Sequence, residues 1–87
     1  MSVTVSLSDR VLDILGDVTG SEDVRNHPDL ELYTLGIIDS LATVSLMLAF
    51  EEAFGIEISP AEFDRDSWAT PRRLVADVER RIASAGR

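Results

Sequence analysis

The chain contains neither cysteine nor lysine, and its single histidine is His27. Disulfide frameworks, thiolate zinc sites, Cys–His nucleophilic pairs and lysine Schiff bases are therefore excluded or starved of partners. A catalytic triad is out of reach. The absence of cysteine also leaves the redox compartment open. There is no long apolar run either: the most apolar stretch, Leu41 to Phe54, spans fourteen residues and includes Glu51 and Glu52. That is too short and too charged to cross a bilayer, so no membrane insertion is expected. The first eight residues are polar and lack a basic start followed by an apolar run, so the expected location is cytoplasmic. No repeat, linker or low-complexity tract breaks residues 1–87, which read as a single domain. Its core is big enough to fold but too small to wall off a sizeable substrate cavity. Such a domain borrows its chemistry.

Positive charge is scarce as well. Sixteen acids face eight arginines for a net charge of −8, and the imbalance is uneven. Residues 1–66 hold fourteen acids against three arginines, whereas residues 67–87 hold two against five. Nucleic-acid binding needs a concentrated basic face, so nucleic acid is not an expected partner. Basic proteins fit better, although any one of these charges also serves simply to keep the surface solvated.

Helical periodicity dominates what remains. Leu7, Val11, Ile14, Leu15 and Val18 recur at three- and four-residue steps between Ser6 as cap and Gly20 as stop, which predicts a first helix over Leu7–Val18. Residues 19–38 then form a long connection, expected to hold a short turn near Ser21–Asn26 and to pin Leu30, Leu32, Leu35 and Ile37 onto the core. A second helix is predicted over Ser40–Phe54, with Gly55 as its left-handed stop. Ser59-Pro60-Ala61-Glu62 reads as a capping box opening a short third helix. Thr70-Pro71 opens a fourth, which buries Leu74, Val75, Val78 and Ile82. Ile56-Glu57-Ile58 alternates, but over too few residues to support a sheet. The expected fold is all-α, a small four-helix bundle of three main helices and one short one. Ser84–Arg87 and the first few residues are expected to fray.

The predicted second helix is apolar almost all round: ten of its fifteen positions are Leu, Ala, Val, Met or Phe. One apolar stripe suffices for a small bundle. With Val44, Leu46, Met47, Phe50 and Phe54 assigned to the core, Leu41 and Leu48, along with Ala42 and Ala49, are left partly exposed on the face that begins at Ser40. Leu41, Ser45, Leu48, Glu51 and Glu52 then make an acid-rimmed docking strip. The plainer alternative is that the loop from residue 19 covers them.

At the mouth of this helix stands the pair Asp39-Ser40. A carboxylate there caps orphan N–H groups of the first turn and leaves the next side chain free to point outward. A phosphate esterified to Ser40 would sit beside exposed N–H groups at the positive end of the helix dipole. Asp and Ser are also ordinary capping residues, so the pair alone is weak. Asp64-Arg65-Asp66 begins like a calcium loop, but Ala69 and Val75 stand where Gly and a bidentate Glu are required, so calcium is not implied. Phe63 and Trp68 are expected to pack the junction between the third and fourth helices. His27 reads as a loop residue.

Between Pro28 and Pro71, the segments Pro28-Asp29-Leu30-Glu31, Gly36-Ile37-Ile38-Asp39-Ser40, Ala49-Phe50-Glu51-Glu52-Ala53-Phe54 and Glu62-Phe63-Asp64-Arg65-Asp66-Ser67-Trp68-Ala69-Thr70-Pro71 resemble carrier proteins of the acyl and peptidyl carrier superfamily. The resemblance is greatest to the D-alanyl carrier group, which shares the two-residue spacing between Gly36 and Asp39 and the segment ending at Pro71. It covers about half the chain. Leu41 and Thr34 stand where that group usually has Phe and Asp, and the carried amino acid stays open. The resemblance implies a non-catalytic, monomeric, discrete carrier with phosphopantetheine, derived from coenzyme A, attached at Ser40. Implied partners are a phosphopantetheinyl transferase, an adenylating enzyme that loads an amino acid, and a downstream acyltransferase or condensing enzyme. The destination is either D-alanylation of a cell-envelope polymer or a natural-product assembly line. Arginine without lysine suggests a GC-rich genome, which leans towards the second. A fatty or polyketide acyl carrier, and an unmodified acidic helical adaptor for a basic partner, are the alternatives.

Overall fold

The structure, a computed structural model, describes residues 6–85. Of the termini expected to fray, residues 1–5 and 86–87 lie outside the described residues, whereas Ser84 and Ala85 continue the last helix. Four α-helices follow in order: α1 (Leu7–Thr19), the single turn α2 (Asp23–Asn26), α3 (Ser40–Phe54) and α4 (Pro71–Ala85). Two short 3-10 turns, Pro60–Glu62 and Arg65–Trp68, bridge α3 to α4. No strand occurs among the described residues. The all-α bundle expected from periodicity is the fold.

Local chemistry explains where the long helices begin and end. The Ser6 side chain accepts the Asp9 N–H at 3.1 Å, which caps α1. Helix α4 opens with Pro71 at its first position, where a missing N–H costs nothing, and the Thr70 hydroxyl accepts the Arg73 N–H at 3.2 Å. Helix α3 stops at Gly55, whose φ of 67° puts the backbone in the left-handed region that side chains disfavour.

Helix α1 packs against both α3 and α4. Val11 and Leu15 from α1, Leu46 and Phe50 from α3, and Leu74 and Val78 from α4 are wholly buried in one core. Trp68 closes that core from the 3-10 turn, edge-on to Phe50 with ring centroids 5.7 Å apart and to Phe63 at 4.6 Å. Its indole N–H donates to Asp77 Oδ2 at 2.9 Å. Asp77 is buried on α4, and Arg81 and Arg80 also donate to its carboxylate. Burial pushes this carboxyl up, but the hydrogen bonds from Arg81, Trp68 and Arg80, with the Arg81 charge, outweigh burial and hold its pKa below the usual 3.8.

Several expectations need correcting. The Ser59 side chain makes no capping bond, and no α-helix starts there. Phe63 is extended, at φ −75° and ψ 133°, which lays its ring against Trp68 and divides the segment into two 3-10 turns. The bundle's short α-helix is instead α2, inside the connection where a turn was expected; it buries Val24. In that connection Leu35 points outward and Ile38 inward, because the Ile37 and Ile38 N–H groups both turn back onto Leu32 O. Val75 and Ile82 are half-buried at the edge of the core. On α3 the core position assigned to Val44 belongs to Thr43, whose hydroxyl is satisfied internally.

Candidate functional site around Ser40

The connection before α3 is stitched down rather than loose. Leu32 N–H donates to Ala69 O at 2.9 Å, Arg72 N–H donates to Pro28 O at 3.0 Å, and the Arg72 guanidinium pairs with Asp29. That pairing, chiefly through the hydrogen bond, holds the Asp29 carboxyl below its usual pKa. Gly36, with φ 74°, makes the left-handed turn that sends Ile37 and Ile38 back onto Leu32 O. Ile38 is then buried, and Asp39 emerges in an extended conformation at the surface. The two-residue spacing between Gly36 and Asp39 thus has a geometric purpose: it is the length of this hook.

Asp39 caps α3. Its Oδ1 accepts the Ala42 N–H at 2.8 Å, and its backbone oxygen accepts the Thr43 N–H at 2.8 Å. Ser40 follows as the first helical residue and is exposed. In this first turn the N–H groups of Ser40 and Leu41 have no intrahelical acceptor, because no turn precedes them. An exposed hydroxyl beside free N–H donors at the positive end of a fifteen-residue helix fits a phosphodiester oxygen. The residues present therefore suit an esterified phosphate.

The helix surface beyond Ser40 is apolar. Leu41 is 77% exposed, Leu48 60% and Val44 48%, and Leu35 in the preceding loop is 60% exposed. The loop from residue 19 does not cover them. Leu41, Leu48 and the exposed Glu52 share the outward face with half-buried Ser45, as the spacing predicts. Glu51 is different: its Oε2 accepts the Ile58 N–H at 2.8 Å and so ties the segment after Gly55 to the last turn of α3. Val44 shares this face by its spacing from Leu41 and Leu48 although it was assigned to the core, and Leu35 is a further exposed apolar side chain in the preceding loop. Val44, four residues after Ser40, could have been found from helical spacing; nothing in the loop sequence marks Leu35.

The remaining candidates lie apart from this site. Trp68 packs in the core with half-buried Phe63 against it, and His27 is exposed in the connection. Asp64 spends its side chain on the Asp66 N–H at 3.0 Å. Among the described residues no group of three or more acidic or histidine side chains is placed to hold a metal ion. No helix among them is long and apolar enough to cross a membrane.

Comparison with known proteins agrees with this geometry. The family described as a phosphopantetheine attachment site matches residues 9–78, which span α1 to the middle of α4 with Ser40 inside. The D-alanyl carrier protein of Lacticaseibacillus casei is 46% identical over 74 residues, covering 85% of this chain and 91% of the relative. That of Enterococcus faecalis is 40% identical over 75 residues, covering 86% and 96%. That of Bacillus cereus is 44% identical over 71 residues, covering 82% and 90%. Matches of this extent place the chain in the phosphopantetheine-attachment family of acyl and peptidyl carrier proteins, as a relative of the D-alanyl carriers.

Proposed function

We propose that Ser40 carries the phosphopantetheine arm and that the protein is a discrete, non-catalytic, cytoplasmic carrier of aminoacyl groups. The observation that carries this reading is the exposed Ser40 hydroxyl directly after the Asp39 cap, within the span matched by the attachment family. When bound, the arm supplies the thiol that holds a cargo as a thioester. The chain's own residues orient and present: Asp39 holds the first turn, the free N–H groups of that turn would favour the phosphate, and the exposed Leu41, Val44 and Leu48 face offers an enzyme something to bind.

The D-alanyl carrier relatives favour a small amino acid, with alanine as the first choice, over a fatty or polyketide acyl chain. A domain whose core is already filled by Trp68, Phe50 and Leu46 has little room to enclose a long chain, whereas a short polar group stays hydrated outside. Selectivity then belongs to the loading enzyme. Partners under this reading are a phosphopantetheinyl transferase, an ATP-dependent adenylating enzyme and a downstream acyltransferase, each meeting the acidic surface with a basic one. The test incubates the holo protein with its adenylating enzyme, ATP and a panel of amino and fatty acids, then reads intact mass. Charging by a small amino acid is expected; charging only by fatty or malonyl-type groups overturns the aminoacyl reading.

A further inference from the structure

We infer that Tyr33 and Thr43 are positioning residues for the chemistry at Ser40, acting through the backbone carbonyl of Asp39; the inference rests on Ser40 being the attachment residue. Thr43 is buried in the first turn of α3, and its hydroxyl donates to Asp39 O at 2.7 Å. The same oxygen takes the Thr43 backbone N–H at 2.8 Å. Tyr33, from the connection before α3, places its phenol oxygen 2.7 Å from Thr43 Oγ1. A carbonyl only accepts, so the single threonine proton is committed to Asp39 and the Tyr33 phenol is the donor of the pair. The result is a polarised chain running from Tyr33 O–H through Thr43 O–H to Asp39 C=O. The Arg65 guanidinium lies over the Tyr33 ring, 4.1 Å from its centroid, and holds the ring in place.

The peptide group at the end of this chain joins Asp39 to Ser40. Because a peptide is planar, fixing its oxygen with two donors also restricts its far edge, which carries the Ser40 N–H and leads into the Ser40 Cα–Cβ bond. Capping does not require the arrangement, since the Asp39 carboxylate already serves the Ala42 N–H. Packing does not require it either. A valine would fill the same buried site without a hydroxyl to satisfy, and a threonine bonded back to the preceding turn slightly weakens a helix. What the chain adds is aim. In the attachment step the Ser40 Oγ forms a bond to phosphorus of coenzyme A, the P–O bond to the adenosine bisphosphate half breaks, and the serine proton leaves to a base on the transferase. In-line displacement of this kind rewards an oxygen already pointed along the attack direction.

The test uses apo protein, coenzyme A and a phosphopantetheinyl transferase, with kcat and KM resolved by intact mass. Thr43→Val keeps the shape and removes both links; kcat is expected to fall about tenfold while KM stays within about twofold. Thr43→Ser restores the hydroxyl and should recover kcat to within about twofold of the original. Tyr33→Phe removes only the outer link and should lower kcat by about threefold. Amide hydrogen exchange on the same proteins should show the first turn of α3 loosened in Thr43→Val and restored in Thr43→Ser. An unchanged kcat in Thr43→Val, an equal loss in both Thr43 variants, or a change confined to KM overturns the positioning role while leaving attachment at Ser40 intact. No addition to the unaltered protein overturns attachment itself, and the positioning role with it.

Discussion

Helices α3 and α4 have the same length, fifteen residues, and use their surfaces in opposite ways. Helix α4 buries Pro71, Leu74, Asp77 and Val78 and turns Arg72, Arg73, Ala76 and Arg80 to solvent. It has one apolar stripe, as packing requires. Helix α3 buries Thr43, Leu46, Met47 and Phe50 but leaves Leu41, Val44 and Leu48 in water on its other side. Each large apolar side chain so exposed forgoes a large part of the roughly 1.5–3 kcal/mol that full burial would contribute. Folding accounts for one face of α3 and leaves the second, beginning at Ser40, to solvent, which the docking role proposed above explains.

The sharpest way to break this comparison is to truncate one leucine from each face of α3. Leu46 is fully buried, so Leu46→Ala should cost about 3–4 kcal/mol in urea unfolding. Leu48→Ala should change stability by less than about 0.5 kcal/mol and instead raise KM with a loading enzyme. Equal costs at both positions would erase the distinction between the faces.

Helix α4 is tested by its one buried charge. Asp77→Ala leaves the Trp68 N–H without its acceptor and two arginines without their carboxylate, and should cost about 2 kcal/mol because both arginines retain some access to water. The folded pKa of Asp77 is lowered, so its contribution is present above the ordinary value of 3.8 and is lost as pH falls through the lower folded value. Urea midpoints measured from neutral pH downward should therefore converge for the original protein and the variant in the most acidic buffers. A constant gap at all pH values would contradict the ion-paired account.

A smaller effect separates two neighbouring acids. Glu52 is free at the surface, so Glu52→Lys should leave stability within about 0.5 kcal/mol while slowing association with a basic partner, less so as salt is added. Glu51→Gln should show the reverse emphasis, losing about 1 kcal/mol of stability as its bond to the Ile58 N–H weakens. Stopped-flow association and thermal unfolding on both variants would expose any failure of this division.

What was legible in the sequence follows from how local the governing physics is. The limits of α3, the Asp39 cap, the Gly55 stop and the exposed Ser40 depend on neighbours within four residues, and each stands where the sequence places it. The exchange of Thr43 for Val44 in the core was hidden because α3 is apolar on both faces, so periodicity has no contrast to report. Leu35 turns outward and Ile38 inward for another reason: a loop has no period, and their orientation follows from the Ile37 and Ile38 bonds back to Leu32 O, five and six residues away. The burial of Asp77 and the engagement of Glu51 depend on tertiary partners, Trp68 and Ile58, that charge patterning does not reveal. The Ser59 capping bond is not made, and Phe63 leaves the helical turn to seat its ring on Trp68, a core partner that the capping pattern does not report.

Presenting a modified Ser40 is the role proposed for the outward face of α3. Its most direct test is the intact mass of the apo protein after incubation with coenzyme A and a promiscuous phosphopantetheinyl transferase, beside the same reaction on Ser40→Ala. The account predicts a single phosphopantetheine on the original protein and none on a Ser40→Ala variant that unfolds within about 0.5 kcal/mol of it. An addition that persists in the Ser40→Ala variant, or an original protein that accepts nothing, would contradict it.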